Sequence, residues 1–189
     1  MSVRLRIDGY AIVSADGMIA DPAGDIPPGL VNPADQRFFA DALEHADLIV
    51  HGRRSHEGHP QSAQRRRLVL TRSVTTLSPH PGYPKAMLWN PDGAPLEAAG
   101  AALGVERGIV AIIGGTEAYG HFLPYYHTFY LCRAAHVRIP GGRPVFPGIP
   151  PLTPEHRLAE HGLAGGEQRM LDAAAGISVQ SWRRPTSDA

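Results

Sequence analysis

Cysteine is nearly absent. Cys132 is alone in 189 residues, so no internal disulfide can form and a reducing, cytoplasmic setting is expected. No apolar run is long enough to cross a bilayer, and the opening "MSVRLRIDGYAIVSADG" has no apolar core of signal-peptide length. Net charge is missing too: 18 Lys and Arg balance 18 Asp and Glu. No global field therefore draws nucleic acid or an anionic membrane, and any clustered arginines must act locally. Several motifs are also lacking. Without GxGxxG or GxxxxGK followed by Ser or Thr, neither a Rossmann nor a P-loop site is supported. No serine lies in a GxSxG elbow, and Cys132 falls inside an apolar strand, where a thiol is usually inert. His51, His56 and His59 surround Glu57, but "HEGH" is not the HExxH spacing and Pro60 interrupts the segment, so no metal is expected.

What is present suits one domain. Apolar residues make up 43% and charged ones 19%, ordinary values for a globular chain of this length. Residues 1–184 are expected to form the domain and 185–189 a frayed tail. "RLRIDGYAIVSADG" reads as a strand ending near Ser14, followed by a Gly-, Pro- and Asp-rich loop over 15–32. Asn32 caps a helix with Pro33 at its first position, running to about His45. "ADLIVHG" is a buried strand, "RRSHEG" a short helical start, and "RRRLVLTRSV" a further strand. "SPHPGYP" reads as a linker, "KAMLWN" as a strand, and "APLEAAGAALG" as a helix closed by Gly104. The strand "TFYLCRAAHVRI" leads to a turn, "PGGRPVFPGIPP". "HRLAEHGLA", "EQRMLDAA" and "GISVQSWRR" look like antiparallel strands. The sum is an α/β fold: a mixed sheet flanked by helices.

Three features carry chemistry. In "VERGIVAIIGGTEAYGHFLPYY" the buried run Ile109–Ile113 meets Gly114 and Gly115, and Thr116 is placed to cap the helix behind them. Such a junction is either a plain turn or a cradle for phosphate at a helix start. Asp35 lies on the same helical stripe as Phe38, Phe39, Ala42 and Leu43. A first-turn acid favours the helix dipole, but one on the apolar face should meet a partner. Arg53, Arg54 and Arg72 follow strand ends, where open α/β sheets bind ligands, although a solvated basic rim has the same pattern.

"AIVSADGMIA", "NPADQRFF", "LIVHGRRSHE", "RRLVLTRS", "IIGGTEAYGHFLP", "FYLCR" and "GGRPVFP" occur in the order of the dihydrofolate reductase family, which the chain resembles from about Tyr10 to Pro147. The resemblance implies an eight-stranded, mostly parallel mixed sheet with antiparallel C-terminal strands and NADPH across its strand ends. Gly114 and Gly115 would approach the nicotinamide-side phosphates, with Thr116, Glu117 and Ala118 opening the helix and Tyr119 lying along the cofactor. Arg53, Arg54 and Ser55 would serve the pyrophosphate and adenosine phosphate, and Arg72 the 2′-phosphate. Gly52, Thr71, Ile113 and Ile19 complete the implied cofactor set, with Ala11 and Ile19 along the nicotinamide slot. Asp35 matches the carboxylate that binds the pterin amidine edge, Phe39 the ring-packing residue, and Arg65 the arginine holding the glutamate tail.

Three positions depart from the family. Val31 replaces the loop tryptophan, Cys132 the substrate-side threonine, and Arg143 an acid before "FP". "SADGMIAD" also resembles the Ser-x-Asp-Gly opening of the riboflavin-biosynthesis reductase domain, which shares this fold. The implied function is NADPH-dependent reduction of a pterin-like C=N, with dihydrofolate first and one-carbon metabolism as its setting. A ribosylated aminopyrimidine is the second acceptor, with Arg65–Arg67 and Arg143 meeting its phosphate. A member that binds a nucleotide without catalysis is the third reading. The expected partner is a small molecule, and the chain is expected to be a monomer or homodimer.

Overall fold

The computed structural model describes residues 5–55 and 61–185. In chain order its elements are β1 (Leu5–Ser14), β2 (Met18–Ala20), α1 (Pro33–Glu44), β3 (Leu48–Gly52), β4 (Arg67–Leu70), β5 (Leu77–Pro79), β6 (Ala86–Trp89), α2 (Leu96–Ala101), β7 (Gly108–Ile112), α3 (Thr116–Phe122), β8 (Thr128–Ala134), β9 (Arg143–Pro144), α4 (Pro154–Glu160), β10 (Ala164–Asp172) and β11 (Ile177–Arg183). The expected helical start after Gly52, including His56, Glu57 and His59, falls largely outside the described residues, as do the last four residues of the tail.

From Ile7 onward β1 is largely buried on both faces, as a strand covered on both sides must be. It pairs in parallel with β7 on one side and β8 on the other. The main sheet has nine strands in the order β10-β11-β8-β1-β7-β3-β4-β6-β5. Its middle is parallel, and both ends turn antiparallel. α1 covers one face, where Phe38, Phe39, Ala42 and Leu43 pack on Tyr10, Ile49, Ala111 and Tyr130. The larger core lies on the other face, around Val13, Val50, Leu68, Ile112, Phe122, Phe129 and Phe146. Asn32 caps α1 as its sequence demands: its side-chain oxygen accepts from the Ala34 and Asp35 amides at 2.8 and 3.3 Å.

Four local readings need correction. The ninth strand is β5, inside a stretch read as part strand-free linker. It pairs with β6 through Leu77, Ser78 and Pro79, and a proline is tolerated there because the strand is at the edge. "HRLAEHGLA" is the helix α4 and its exit turn rather than a strand. Thr153 caps it, accepting from the His156 amide at 3.2 Å, and Pro154 occupies its first turn. The turn after β8 contains β9, which pairs with β2 into a separate two-stranded ribbon. Gly115, not Thr116, stands at the N-cap of α3. The Thr116 hydroxyl instead donates to the Pro144 carbonyl at 2.5 Å, tying α3 to β9.

Candidate active site

Because β1, β3, β4, β7 and β8 run parallel, the segments leaving them emerge on one edge of the sheet. The chain leaves β1 for β3 and only later fills the gap with β7, so the strand order reverses beside β1. Ligands of open α/β sheets bind in the crevice at such a point. Side by side along this edge lie the 15–32 loop after β1, Gly114 after β7, Arg53 after β3 and Thr71 after β4.

At the β3–β7 junction backbone meets backbone. The Gly52 amide donates to the Gly114 carbonyl at 2.7 Å, and the Ile113 amide to Val50 at 3.0 Å. A side chain on Gly52 would meet the Gly115 amide at 3.6 Å, and one on Gly115 the Ser55 hydroxyl at 3.1 Å. Gly114 has φ 118°, and a Cβ there would stand 3.2 Å from the Tyr119 ring. Gly114→Ala is therefore expected to destabilise the fold by about 1–3 kcal/mol. A melting curve reads this as about 2–4 °C per kcal/mol in a chain of this size. Among the described residues no side chain caps the first turn of α3, where Glu117 is exposed and Ala118 and Tyr119 are buried. Bare backbone and uncapped amides at this edge fit the phosphates of a dinucleotide. Arg53, Arg54 and Arg72 are exposed nearby and form no ion pair with described residues. Thr71 is buried, and its hydroxyl accepts from the Ser73 amide at 3.1 Å, shaping the turn that carries Arg72.

Across the crevice stands Asp35, in the first turn of α1. Burial raises its pKa, and donation from the Cys132 thiol offsets part of that rise. The thiol itself is pushed up by its own burial and by the neighbouring carboxylate. Tyr119 comes from beneath, its hydroxyl donating to the Tyr10 carbonyl at 2.5 Å, and it feels the charge of Asp35. Phe39 meets Tyr10 edge-on, with centroids 6.5 Å apart, and Tyr10 stacks on Tyr130 at 5.0 Å. A carboxylate against an aromatic wall can grip the N–H edge of a flat heterocycle.

Asp35, Cys132, Tyr119 and Phe39 thus come together, and the glycines, Ser55 and the three arginines form the adjoining rim. Other expected residues are placed differently. The Ala11 side chain packs into the main core on the sheet face opposite Tyr10, so only its backbone can line a slot. Ile19 is half-buried against the same core, while Val31 is 51% exposed at the end of the loop. Arg65 lies at the opposite edge, in a cavity of about 680 Å³ shared with Leu43, Glu44, Gln64, Arg66 and Lys85. Leu43 is about 12 Å along the helix axis from Asp35.

The readings of Arg67 and Arg143 as phosphate contacts are corrected. Arg67 is 5% exposed, its Nε donating to the Ser62 carbonyl at 2.8 Å. Arg143 donates to the Ala23 and Pro22 carbonyls at 2.9 and 3.4 Å, clasping the loop turn that Asp21 organises. Arg143→Ala is expected to speed amide exchange at residues 24 and 25, measured by mass spectrometry, while leaving the β1 amides slow. The Ser-x-Asp-Gly motif is also a fastening. Ser14 donates to Asp16 at 2.5 Å and accepts from the Met18 amide at 2.9 Å, while Asp16 accepts from the Ile139 amide at 3.1 Å. Burial opposes ionisation of Asp16, yet these donors hold its pKa below the ordinary carboxylate value.

Sequence reasoning missed Arg169, whose guanidinium sits 5.8 Å from the Phe38 ring and acts on Cys132. It lies on an exposed strand with no motif around it, and only the register that sets Arg169 beside Val179, and Val179 beside Cys132, reveals it.

No protein-family model matches the sequence, and no curated protein does. Solved structures do. A protein assigned to riboflavin biosynthesis from Shewanella sp. PV-4 has 20% identity and a TM-score of 0.64, covering 96% of this chain and 99% of that one. A dihydrofolate reductase from Enterococcus faecalis, complexed with NADP(H), has 16% identity and a TM-score of 0.63 over 96% and 97%. A diaminohydroxyphosphoribosylaminopyrimidine deaminase/5-amino-6-(5-phosphoribosylamino)uracil reductase from Thermotoga maritima has 12% identity and a TM-score of 0.63, over 96% of this chain and 57% of that one. At such identities the likeness is one of fold.

Proposed function

On the dihydrofolate reductase-like fold that this chain has, we propose an NADPH-dependent reductase acting on a pterin-like C=N, with dihydrofolate, reduced to tetrahydrofolate, as the first substrate. The observation that carries it is a half-buried carboxylate on the helix face that carries Phe39, at the same sheet edge as the bare glycine junction. NADPH would supply the hydride. Gly52, Gly114, Gly115 and the uncapped start of α3, Thr116 to Ala118, would receive its phosphates. Arg53, Arg54 and Ser55 would flank the pyrophosphate, and Thr71 and Arg72 the 2′-phosphate. Ile19 and Ile113, with the Ala11 backbone, would border the nicotinamide.

Asp35 would accept two hydrogen bonds from the amidine edge of the heterocycle and favour the protonated imine. Phe39 would pack on the ring, and Tyr119 would hold the Tyr10 carbonyl at the crevice floor. The loop fastened by Ser14, Asp16 and Arg143 would exclude water from the reacting atoms. Arg65, at the far end of α1, suits a substrate whose anionic tail extends well away from its ring.

The second reading keeps NADPH and changes the acceptor to a ribosylated aminopyrimidine, favoured by the names of two of the neighbours. NADPH oxidation with dihydrofolate and with the aminopyrimidine, measured side by side, separates the two. Faster turnover of dihydrofolate is expected. Exclusive use of the aminopyrimidine would replace the first substrate, and no turnover of either with NADPH still bound would leave a nucleotide-binding protein without catalysis.

A further inference from the structure

The two edges of the main sheet are finished differently. At one end β5 has three residues, and Pro79 among them removes a backbone donor. At the other end β10 has nine residues, Ala164 to Asp172, with neither proline nor lysine. Every residue from Ala164 to Met170 is exposed, so no element covers either face of this stretch. Of the described strands only β11 pairs with β10. Its outer row of amides and carbonyls is a template for a further strand.

The β10 sequence, AGGEQRMLD, is complementary to itself read backwards. Antiparallel pairing of the whole strand with a second copy puts its middle residue, Gln168, on the two-fold axis. Glu167 then stands opposite the partner's Arg169, and Arg169 opposite the partner's Glu167, so two opposite-charge pairs form together. Gly165 and Gly166 face the partner's Leu171 and Met170, leaving room for the two largest apolar side chains of the strand. Moving the axis by one residue sets Glu167 against itself or Arg169 against itself, and like charges directly opposite are unfavourable. The charges therefore select one register.

The strand is prepared for this pairing. Glu167 and Arg169 are two apart and share one face. Neither forms an ion pair with a described residue. Arg169 rests over Phe38 of α1, 5.8 Å from the ring centroid, so its side chain has less freedom to lose on pairing. Bulges between Gly165 and Gln168 and between Met170 and Asp172 bend the strand towards its ends, and its centre stays in regular register with β11. We propose that β10 is the interface of a two-fold symmetric homodimer, in which the two nine-stranded sheets join into one across Gln168 and Glu167 and Arg169 pair reciprocally between copies. The proposal is independent of the reductase reading.

The test is sedimentation of the full chain over a range of concentration, for wild type, Glu167→Arg and Arg169→Glu. One strand edge is a small interface, so wild type is expected to pass from dimer to monomer on dilution from about 200 μM to about 1 μM. Each variant sets two like-charge pairs beside the axis and is expected to stay monomeric at the highest concentration. Mixed in equal amounts, the two variants regain both opposite-charge pairs, and a heterodimer is expected. Melting curves near that of wild type show that the variants are folded. Where Arg169→Glu folds poorly for want of its place over Phe38, the Glu167→Arg arm stands by itself, since Glu167 is exposed. Wild type that is monomeric throughout, a dimer that survives Glu167→Arg, or no association between the two folded variants would overturn the proposal.

Discussion

Replacing Asp35 with asparagine is expected to lower the turnover of dihydrofolate by about 10²–10⁴-fold while leaving NADPH affinity nearly unchanged. The size follows from what the carboxylate does. An anionic acceptor for the amidine edge becomes a neutral amide that carries its own N–H donors, so the protonated imine loses the charge that favours it. The split between turnover and cofactor affinity follows from geography: Asp35 is on α1, and the proposed phosphate contacts follow β3, β4 and β7. A loss of NADPH binding in parallel with turnover would point to a general collapse of the crevice instead.

The same substitution has a second consequence that does not depend on catalysis. Burial raises the pKa of Asp35, so the folded chain holds this proton more tightly than the unfolded chain does. The resulting stability is complete below the ordinary aspartate value and is lost as pH rises through the raised one. Asp35→Asn has no such loss. It is expected to melt above wild type at neutral pH, with the difference shrinking in acid, as a melting series across pH would read. An acid kept where it weakens the fold is the pattern of a working site.

The other large effect concerns the choice between nicotinamide cofactors. Arg72→Ala is expected to weaken NADPH binding about 10–100-fold, the value of charge-assisted hydrogen bonds to one phosphate, and to leave NADH almost untouched. Arg53 and Arg54 follow β3, beside the expected pyrophosphate, so alanine there is expected to weaken both cofactors together. Isothermal titration of the three variants with both cofactors gives the comparison. Equal losses for NADPH and NADH in Arg72→Ala would move the 2′-phosphate away from β4.

Much of this arrangement was legible in the chain because local chemistry and global fold agree. Asn32, Pro33 and the stripe through Asp35, Phe39 and Leu43 specify α1 and its inward carboxylate. The buried run before Gly114 specifies a strand flanked on both sides. Elsewhere the local signal was ambiguous. In α4, Leu158 is the one buried apolar side chain after the first turn, too little to show a helical period, and only the Thr153–Pro154 start marks a helix. Thr116 has the composition of a cap, yet a tertiary acceptor, the Pro144 carbonyl, claims its hydroxyl. Arg67 and Arg143 read as ligand contacts because a sequence gives charge without partners; folding supplies those partners, from the turn just before β4 for Arg67 and from the distant loop after β2 for Arg143. Arg169 was invisible for the converse reason, since nothing near it in sequence marks its place beside Phe38.

The central claim is that a dinucleotide lies across the carboxyl ends of β7, β3 and β4, next to Asp35. Amide NMR during titration with NADPH tests it most directly. The account predicts shifts concentrated at residues 52–55, 71–72 and 114–119, with the amides lining the cavity around Arg65 and Lys85 undisturbed. Saturable binding whose shifts fall in that distant cavity, or no binding at all, would contradict it.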